Sequence, residues 1–255
     1  MHHVEHCAAL ETAIDAFANI VAANAASGLT QSVPACPEWD LAALTRHVGR
    51  VHRWSAETVR ELAQERMNLK IDIPDDPSVL ADWIREGGAA LLEVLRATDP
   101  DVEVWAWGAD QHVKFWSRRQ LHETEIHLVD AASSVGINYT LQPTIAADGI
   151  DELLDNLPCA TYFSPAVAEL AGNGETIHLH ATDGNADAAI PGEWMIERTT
   201  DGFQYSHAHG KGDVAVRGSM NDLALLMWHR APFDDRFEVF GDRALMQHWL
   251  DHSSL

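Results

Sequence analysis

The stretch RRQLHETEIHLVDA (residues 118–131) determines how the first half of this chain is interpreted. Its pattern predicts a helix, in which Glu123 and His127 lie four residues apart and therefore share one face. A carboxylate and an imidazole at this spacing can ligate one divalent metal ion, and zinc is the leading expectation. His122 gives the stretch a superficial likeness to the HExxH motif of zinc proteases. That interpretation fails, because His122 and His127 lie about 140° apart around a helix of roughly 3.6 residues per turn.

Apolar residues at helical spacing predict four helices in the N-terminal half of the chain. The first spans residues 4–27, and the second follows an N-cap at Asp40. The third follows an N-cap at Ser78, and the fourth spans residues 112–135 and contains the quoted stretch. Short and medium connections between them predict a four-helix bundle over residues 1–140. Metal sites in such bundles are commonly built from inward-facing side chains of opposed helices.

A third metal ligand is expected from a helix that faces Glu123 and His127, because catalytic zinc sites typically have three protein ligands and an open fourth position. His47 is the best candidate. It falls on an otherwise apolar stripe of the second helix, together with Leu44, Val51, Trp54 and Thr58, whereas His52 falls on a different face. An unpartnered imidazole on such a stripe would be costly to bury. Two alternatives stay open: a core histidine bonded to a backbone carbonyl, and a solvated Glu123–His127 pair.

The face of the fourth helix that carries Glu123 and His127 is polar and also includes Gln120 and Asp130. Asp130 lies about one turn beyond His127. We therefore expect the Asp130 carboxylate to accept a hydrogen bond from the ring nitrogen of His127 that does not bind the metal, as carboxylates often do around metal sites. An exposed position for Asp130 is the alternative.

From residue 141 the pattern changes to that of a small α+β domain, residues 141–255. The predicted elements are a helix over 143–157, strands over 176–182, 193–198, 203–207 and 213–217, and helices over 220–230 and 242–251. Asp201-Gly202 is a strong hairpin signal between two of these strands. The predicted fold class is therefore α+β with two domains, a four-helix bundle followed by a small α/β sandwich with an antiparallel-rich sheet.

The strand pattern also defines a second group of histidines. His178 and His180 are two residues apart on one strand and share a face, and His207 and His209 do the same if their segment stays extended. If these strands are neighbours, four imidazoles gather on one surface. Solvent-facing histidines are the more common outcome, so metal binding is the less favoured interpretation here.

Composition limits the partners and the compartment. A net charge of −22, from 39 acidic and 17 basic residues, argues against nucleic acid or an anionic membrane surface as partner. No stretch approaches the ~18 apolar residues of a membrane span, and the N-terminus lacks the features of a signal peptide. Cys7, Cys36 and Cys159 lie far apart without CxxC spacing, which predicts free thiols in a reducing cytoplasm.

Two N-terminal segments, CPEWDLAALTRHVGRVHRW (residues 36–54) and RRQLHETEIHLVDA, resemble the mycothiol-dependent maleylpyruvate isomerase family, within a wider group of DinB-like metal-binding bundles. In the C-terminal half, AADGIDELL, HLHATDG, DVAVRGSMNDLALLMWHR and EVFGDRALMQHWL resemble the second domain of that family, which is similar to sterol-carrier-protein-like modules. The resemblance covers nearly the whole chain. It implies a zinc ion held by His47, Glu123 and His127, the residues that spacing also indicates.

The resemblance further implies an enzyme that uses mycothiol, a low-molecular-weight thiol, as cofactor in the cis–trans isomerisation of a maleylpyruvate-like dicarboxylate. It implies a C-terminal arginine that binds thiol or substrate. Arg230, in LLMWHR, is the best match and the candidate catalytic residue, with Arg217 as runner-up. Independently, an acidic protein that binds a dicarboxylate needs a local cation, and the arginine fork fits a carboxylate.

Two alternative functions stay open, a mycothiol S-transferase and a non-catalytic regulator that binds metal or a small ligand. The expected partners are a small-molecule substrate and the thiol. The chain is expected to act as a monomer or homodimer.

Overall fold

The computed structural model describes residues 1–185 and 190–255 of the chain. Contacts divide it into two compact units, Met1–Thr140 and Leu141–Leu255. The first unit is helical, and the second combines a five-stranded sheet with helices. The α+β class predicted from the sequence is confirmed.

Four long helices build the first unit: α1 (His3–Asn24), α2 (Leu41–Arg60), α3 (Leu80–Ala97) and α4 (Val113–Ser134). They confirm the four predicted helices. A 3-10 turn (Ala25–Ser27) and a hairpin of β1 (Ser32–Val33) and β2 (Cys36–Asp40) connect α1 to α2. The hairpin is missing from the sequence prediction, because strands of two and five residues provide too little alternation to detect.

The beginning of α2 is as predicted, and that of α3 is not. Asp40 caps α2, since its Oδ1 accepts a hydrogen bond from the backbone N–H of Ala43 at 2.7 Å. The N-cap predicted at Ser78 is wrong. Ser78 lies inside a 3-10 turn (Pro77–Val79) whose cap is Asp76, and α3 begins only after that turn. Proline at the first position of the turn lacks an N–H that would otherwise need a partner, which favours the cap at Asp76.

The buried face of α2 also differs from the predicted stripe. Its most deeply buried positions include Val48, His52, Ser55 and Val59. His47 is only partly covered, with 23% of its side chain exposed. Because α2 packs against both α3 and α4, its buried face is wider than one seam. The predicted stripe lies at the edge of that face.

The fourth helix, α4, packs against α1, α2 and α3 and is buried on nearly every side. Its buried residues include several polar ones: Arg119, Gln120, Thr124, His127 and Asp130. Polar groups inside a bundle are costly unless they find partners. The buried polar residues of α4 are therefore the candidate functional residues of the bundle.

Close packing between the helices depends on glycines. The indole ring of Trp83 on α3 lies so close to Gly49 on α2 that a Cβ at that position would overlap it. A Cβ at Gly88 would lie 2.7 Å from Cδ1 of Ile14. Glycine inside a helix costs about 1 kcal/mol relative to alanine, and here close contacts explain its presence.

Among the described residues, the three cysteines are free thiols, and Cys7 is buried. Burial raises the pKa of the Cys7 thiol to about 11. A thiol with so high a pKa is a packing group and not a nucleophile. Across the described residues, no helix combines the length and the apolar character that crossing a membrane requires.

The sheet of the second unit has the strand order β5–β4–β3–β6–β7. Its strands are β3 (Thr176–Ala181), β4 (Glu193–Thr199), β5 (Gly202–Ser206), β6 (Val214–Gly218) and β7 (Glu238–Gly241). The β3–β6 pairing is parallel, and the other three pairings are antiparallel. The four predicted strands and the antiparallel-rich sheet are confirmed. The edge strand β7 escapes sequence prediction, because it is short and carries no buried residue.

Among the described residues of the second unit, three α-helices accompany the sheet: α5 (Pro143–Asn156), α6 (Met220–Met227) and α7 (Arg243–His252). Two 3-10 segments, Leu157–Tyr162 and Pro165–Leu170, follow α5. Alternate strand residues are buried in an apolar layer: Ile177, Leu179, Trp194, Ile196, Val214 and Val216. Residue 230 lies outside α6, contrary to the prediction. The helix cannot continue that far, because His229 has a φ of 60°, in the left-handed region.

Gly49→Ala is expected to lower the free energy of unfolding by about 1–3 kcal/mol, because the new methyl group must displace the Trp83 ring. That ring is further held by Arg53, whose guanidinium carbon lies 4.1 Å from the ring centroid. Urea unfolding of the full chain, followed by circular dichroism, measures the change. Ala8→Gly, at an exposed position of α1, is the control for helix propensity and should destabilise by about 1 kcal/mol. A stabilised Gly49→Ala variant would contradict the packing argument.

Candidate metal centre

His47 on α2 and Glu123 and His127 on α4 converge, with their nearest ligand atoms all within 4.8 Å of one another. Nε2 of His47 lies 2.9 Å from Oε1 of Glu123, and Nε2 of His127 lies 3.5 Å from the same oxygen. The two imidazole centroids are 5.0 Å apart, with the rings at 78°. Two nitrogens and one oxygen thus face a common point. Such a donor set suits an ion bound at about 2.0–2.2 Å from each ligand.

Asp130 forms a hydrogen bond with the ring nitrogen of His127 that faces away from Glu123. Its Oδ2 lies 2.8 Å from Nδ1 of His127, and only 1% of its side chain is exposed. When Nδ1 donates its proton to this carboxylate, Nε2 is the ring nitrogen that can ligate a metal ion beside Glu123. The contact expected from the sequence is therefore present, and the exposed alternative for Asp130 is wrong.

Arg119 is a member of the site that the sequence reasoning missed. Its Nη2 donates to Oε2 of Glu123 at 2.9 Å, and 6% of its side chain is exposed. It occupies one carboxylate oxygen and leaves the other to the two histidines. The spacing of four residues between Arg119 and Glu123 was a usable signal. Periodicity alone could not show that the Arg119 side chain is buried inside the helical bundle.

The electrostatics of the site keep Glu123 ionised. Burial raises the pKa of its carboxyl group, but hydrogen bonds from His127 and His47 and the charge of Arg119 outweigh burial and hold the pKa well below its usual value. Burial lowers the pKa of His127, but its bonds to Asp130 and Glu123 outweigh burial and raise the pKa. Glu123 is therefore a carboxylate, as a metal ligand must be, and a proton and a cation compete for His127.

The site is covered on one side and remains accessible to solvent. The indole of Trp39, at the end of β2, lies 4.8 Å from the ring of His47 and 6.1 Å from that of His127, measured between centroids. The exposed fractions of the His47, Glu123 and His127 side chains are 23%, 19% and 10%. Part of each ligand side chain is therefore in contact with solvent. His47 is the most exposed of the three, because it lies at the edge of the buried face of α2.

His52 lies in the bundle interior and belongs to a different interaction. Its Nε2 lies 2.8 Å from Oγ1 of Thr124, whose hydroxyl donates to the backbone carbonyl of Gln120. His52 therefore donates to Thr124 and joins α2 to α4. Its side chain is fully buried, and burial lowers its pKa to about 4. The sequence correctly separated it from the face of His47 but did not indicate this interior role.

The two arginines implied by the family resemblance both lie in the second unit and are partly buried. Arg217 on β6 donates from Nη1 to Oε2 of Glu238 at 2.9 Å. Arg230 follows the end of α6 and donates from Nη1 to the carbonyl of Trp228 at 2.8 Å. Their roles in ligand binding stay predictions.

The second unit contains a second group of potential ligands: His178, His180, Glu193 and His209. His207 is not a member, so the expectation of four gathered imidazoles is wrong. The strand β5 ends at Ser206, so the alternation required for His207 and His209 to share a face is lost. Nε2 of His207 lies 3.2 Å from Oδ2 of Asp151, and its Nδ1 lies 3.1 Å from the backbone carbonyl oxygen of Glu193.

The fold and the site together define a two-domain α+β protein with a candidate metal centre in its helical domain. Sequence models of one family match both parts of the chain. The Mycothiol maleylpyruvate isomerase N-terminal domain matches residues 10–132, and the C-terminal domain of that family matches residues 144–248. The chain belongs to this family.

Two solved structures share the fold. The crystal structure of the mycothiol-dependent maleylpyruvate isomerase aligns with a TM-score of 0.63 over 94% of this chain and 93% of that chain, at 15% sequence identity. A mutant of that isomerase, with alanine in place of one histidine, aligns with a TM-score of 0.60 over 91% and 90%, at 14% identity. No curated protein sequence gives a significant match.

His52→Gln is expected to change the pH dependence of stability. An unfolded histidine titrates near pH 6.5 and the folded one at about 4, so the unfolded state binds the additional proton between these values. Stability from this group is present above about pH 6.5 and falls as the pH drops toward 4. The wild-type chain should lose about 2 kcal/mol more than His52→Gln between pH 7 and pH 5.

Urea unfolding at the two pH values measures this difference, with a chelator present so that metal binding does not contribute. Glutamine can still donate to Thr124 but does not titrate in this range. Equal losses for the two proteins would show that His52 is not held neutral by burial.

Proposed function

We propose that this protein is a zinc-dependent enzyme that activates mycothiol for the cis–trans isomerisation of a maleylpyruvate-like dicarboxylate. The observation that carries the proposal is the convergence of His47, Glu123 and His127 in a chain that belongs to the mycothiol maleylpyruvate isomerase family. The solved relatives are described as mycothiol-dependent maleylpyruvate isomerase, which supports an enzymatic function of the same class.

The donor set supports zinc over the common hard cations. Two imidazole nitrogens and one carboxylate oxygen suit zinc, whereas magnesium and calcium favour oxygen ligands. Two neutral imidazoles and one carboxylate leave a divalent ion with a net charge of about +1. Three protein ligands also leave a fourth position, as catalytic zinc sites do.

Each residue of the site has a separate part in this proposal. His47, Glu123 and His127 hold the ion, Asp130 orients His127, and Arg119 keeps the second oxygen of Glu123 away from it. Bound zinc would favour the thiolate form of mycothiol, a nucleophile that adds reversibly to the cis double bond and thereby permits rotation about it. The partial exposure of the three ligands gives both small molecules access.

Arg230 is the favoured residue for binding a carboxylate of the thiol or of the substrate. Arg217 is already paired with Glu238, which balances its charge. Arg230 donates from Nη1 to the carbonyl of Trp228, and the planar guanidinium fork has the geometry that binds a carboxylate bidentately. The free thiols support the further inference of a reducing compartment, the cytoplasm.

Zinc content tests the metal centre. His47→Ala and Glu123→Gln are each expected to remove one equivalent of zinc per chain, because each deletes a ligand. Asp130→Asn should weaken zinc affinity by about 10–100-fold, because it removes the carboxylate that orients His127. Elemental analysis after dialysis and competition with a chromophoric chelator measure both effects. His52→Gln, a buried histidine on the same helix, is the matched control and should retain the ion.

Turnover tests the reaction. Zinc-loaded protein incubated with mycothiol and maleylpyruvate is expected to give the trans isomer, and omission of either thiol or metal should abolish the product. Absorbance and chromatography of the reaction mixture measure it. A thiol conjugate without isomerisation would instead favour the S-transferase. Stoichiometric metal without turnover of either kind would favour the regulator.

Substitution of the two arginines tests substrate binding. Arg230→Ala is expected to lower kcat/KM at least about tenfold, mainly through KM, because a charge-assisted contact to a carboxylate is lost. Arg217→Ala is the matched control and should have a smaller effect. Equal kinetics for Arg230→Ala and the unmodified enzyme would remove Arg230 from the site.

A further inference from the structure

The sheet of the second unit carries four potential metal ligands that the proposed function does not use. His178 and His180 stand on the same side of β3, and Glu193 begins β4 as the cross-strand partner of His180. His209 follows the end of β5. These four residues are called the sheet cluster below. Three of them stand on one pair of hydrogen-bonded strands, which fixes their relative positions.

The three imidazoles of the sheet cluster surround a single carboxylate. Nε2 of His178 lies 2.6 Å from Oε2 of Glu193. Nδ1 of His180 and Nδ1 of His209 lie 2.7 Å and 3.1 Å from Oε1 of the same carboxylate. The four ligand atoms all lie within 4.8 Å of one another. Three nitrogens and one oxygen therefore point into one small volume.

The arrangement of the rings is close to that around a tetrahedral ion. Their centroids are 6.1 Å, 5.3 Å and 5.9 Å apart, and the rings stand at 62°, 85° and 71° to one another. An ion at about 2.0–2.1 Å from each nitrogen holds imidazole centres roughly 5 Å apart. The observed separations are longer than this, so metal binding would draw the three rings closer together.

The loop after β5 brings the fourth ligand over the strands. A Cβ at Gly212 would lie 3.1 Å from the backbone nitrogen of His178, so the glycine allows the loop to pass directly against β3. The side chains of His178 and Glu193 are 5% and 16% exposed, whereas that of His209 is 75% exposed. The sheet cluster thus combines two largely buried ligands, His178 and Glu193, with one exposed ligand on a loop, His209.

The positive charge of the arginine on the neighbouring strand is paired with a carboxylate outside the sheet cluster, which reduces its repulsion of a bound cation. Arg217 stands opposite His180 in the β3–β6 register, but its guanidinium donates to Glu238 at 2.9 Å. Glu193 instead directs its two oxygens to the histidines. The net charge of −22 further favours the capture of cations by this protein.

We propose that His178, His180, Glu193 and His209 bind one divalent transition-metal ion of the zinc class, at a site separate from the bundle centre. Imidazole nitrogens suit zinc, copper and nickel, and three nitrogens with one carboxylate oxygen complete a four-coordinate set. A closed set of four protein ligands is typical of a structural ion. It ties β3, β4 and the loop after β5 together.

Metal content in a background that lacks the bundle centre tests this proposal. The full chain with His47→Ala and His127→Ala is loaded with Zn²⁺ or Co²⁺ and dialysed. It is expected to retain about one equivalent of metal per chain, with the visible absorption of tetrahedral Co²⁺. Adding His178→Ala and His180→Ala should abolish retention. His207→Ala in the same background is the matched control and should leave it unchanged, because His207 contacts the Asp151 carboxylate and only the backbone carbonyl of Glu193.

His209→Ala provides a test that does not depend on a buried residue. Because its side chain is largely exposed, the fold should persist, as circular dichroism will show, while Co²⁺ affinity falls at least about tenfold. The proposal is overturned if the background protein retains no metal, if retention survives the loss of His178 and His180, or if His209→Ala binds Co²⁺ unchanged. These outcomes do not depend on the bundle centre, because both of its histidines are already absent.

Discussion

The first unit depends on the pairing of one carboxylate inside a helical bundle. A carboxylate removed from water is costly unless oppositely charged or hydrogen-bonding groups meet it. Glu123 meets this requirement through His47 and His127 on one oxygen and Arg119 on the other. Since His47 belongs to α2 and the other groups to α4, the same contacts fix how these two helices face each other.

Two histidines of α2, five residues apart, show how burial separates structural from chemical roles. His52 is fully buried, donates to Thr124 and has a pKa of about 4, so it stays neutral and joins two helices. His47 lies at the edge of the buried face, where 23% of its side chain remains accessible beside Trp39. A histidine that binds a metal ion within reach of a small molecule must be partly exposed, as His47 is and His52 is not.

Each of the two candidate metal clusters among the described residues contains a pair of ligands placed by the regular repeat of a helix or a strand. In the bundle, Glu123 and His127 share a helix face because they are four residues apart, and His178 and His180 share a strand face because they are two apart. In each case another element completes the set, α2 in the first and the loop after β5 in the second. Local geometry therefore supplies pairs of ligands, and packing supplies the remainder.

The sequence by itself determined the α+β class, the four bundle helices and the polar face shared by Glu123 and His127, because these follow from short-range periodicity. Only the tertiary structure decided that Arg119 turns toward Glu123, that Asp76 and not Ser78 caps the turn before α3, and that β7 joins the sheet. It also decided that His209 and not His207 reaches the carboxylate of Glu193. The pairing of β7 and the contact of His209 depend on groups far apart in the chain or on where a strand ends, about which a local residue pattern carries no information. The Arg119 contact and the Asp76 cap are local, but residue spacing does not say which of the possible local contacts the packed bundle selects.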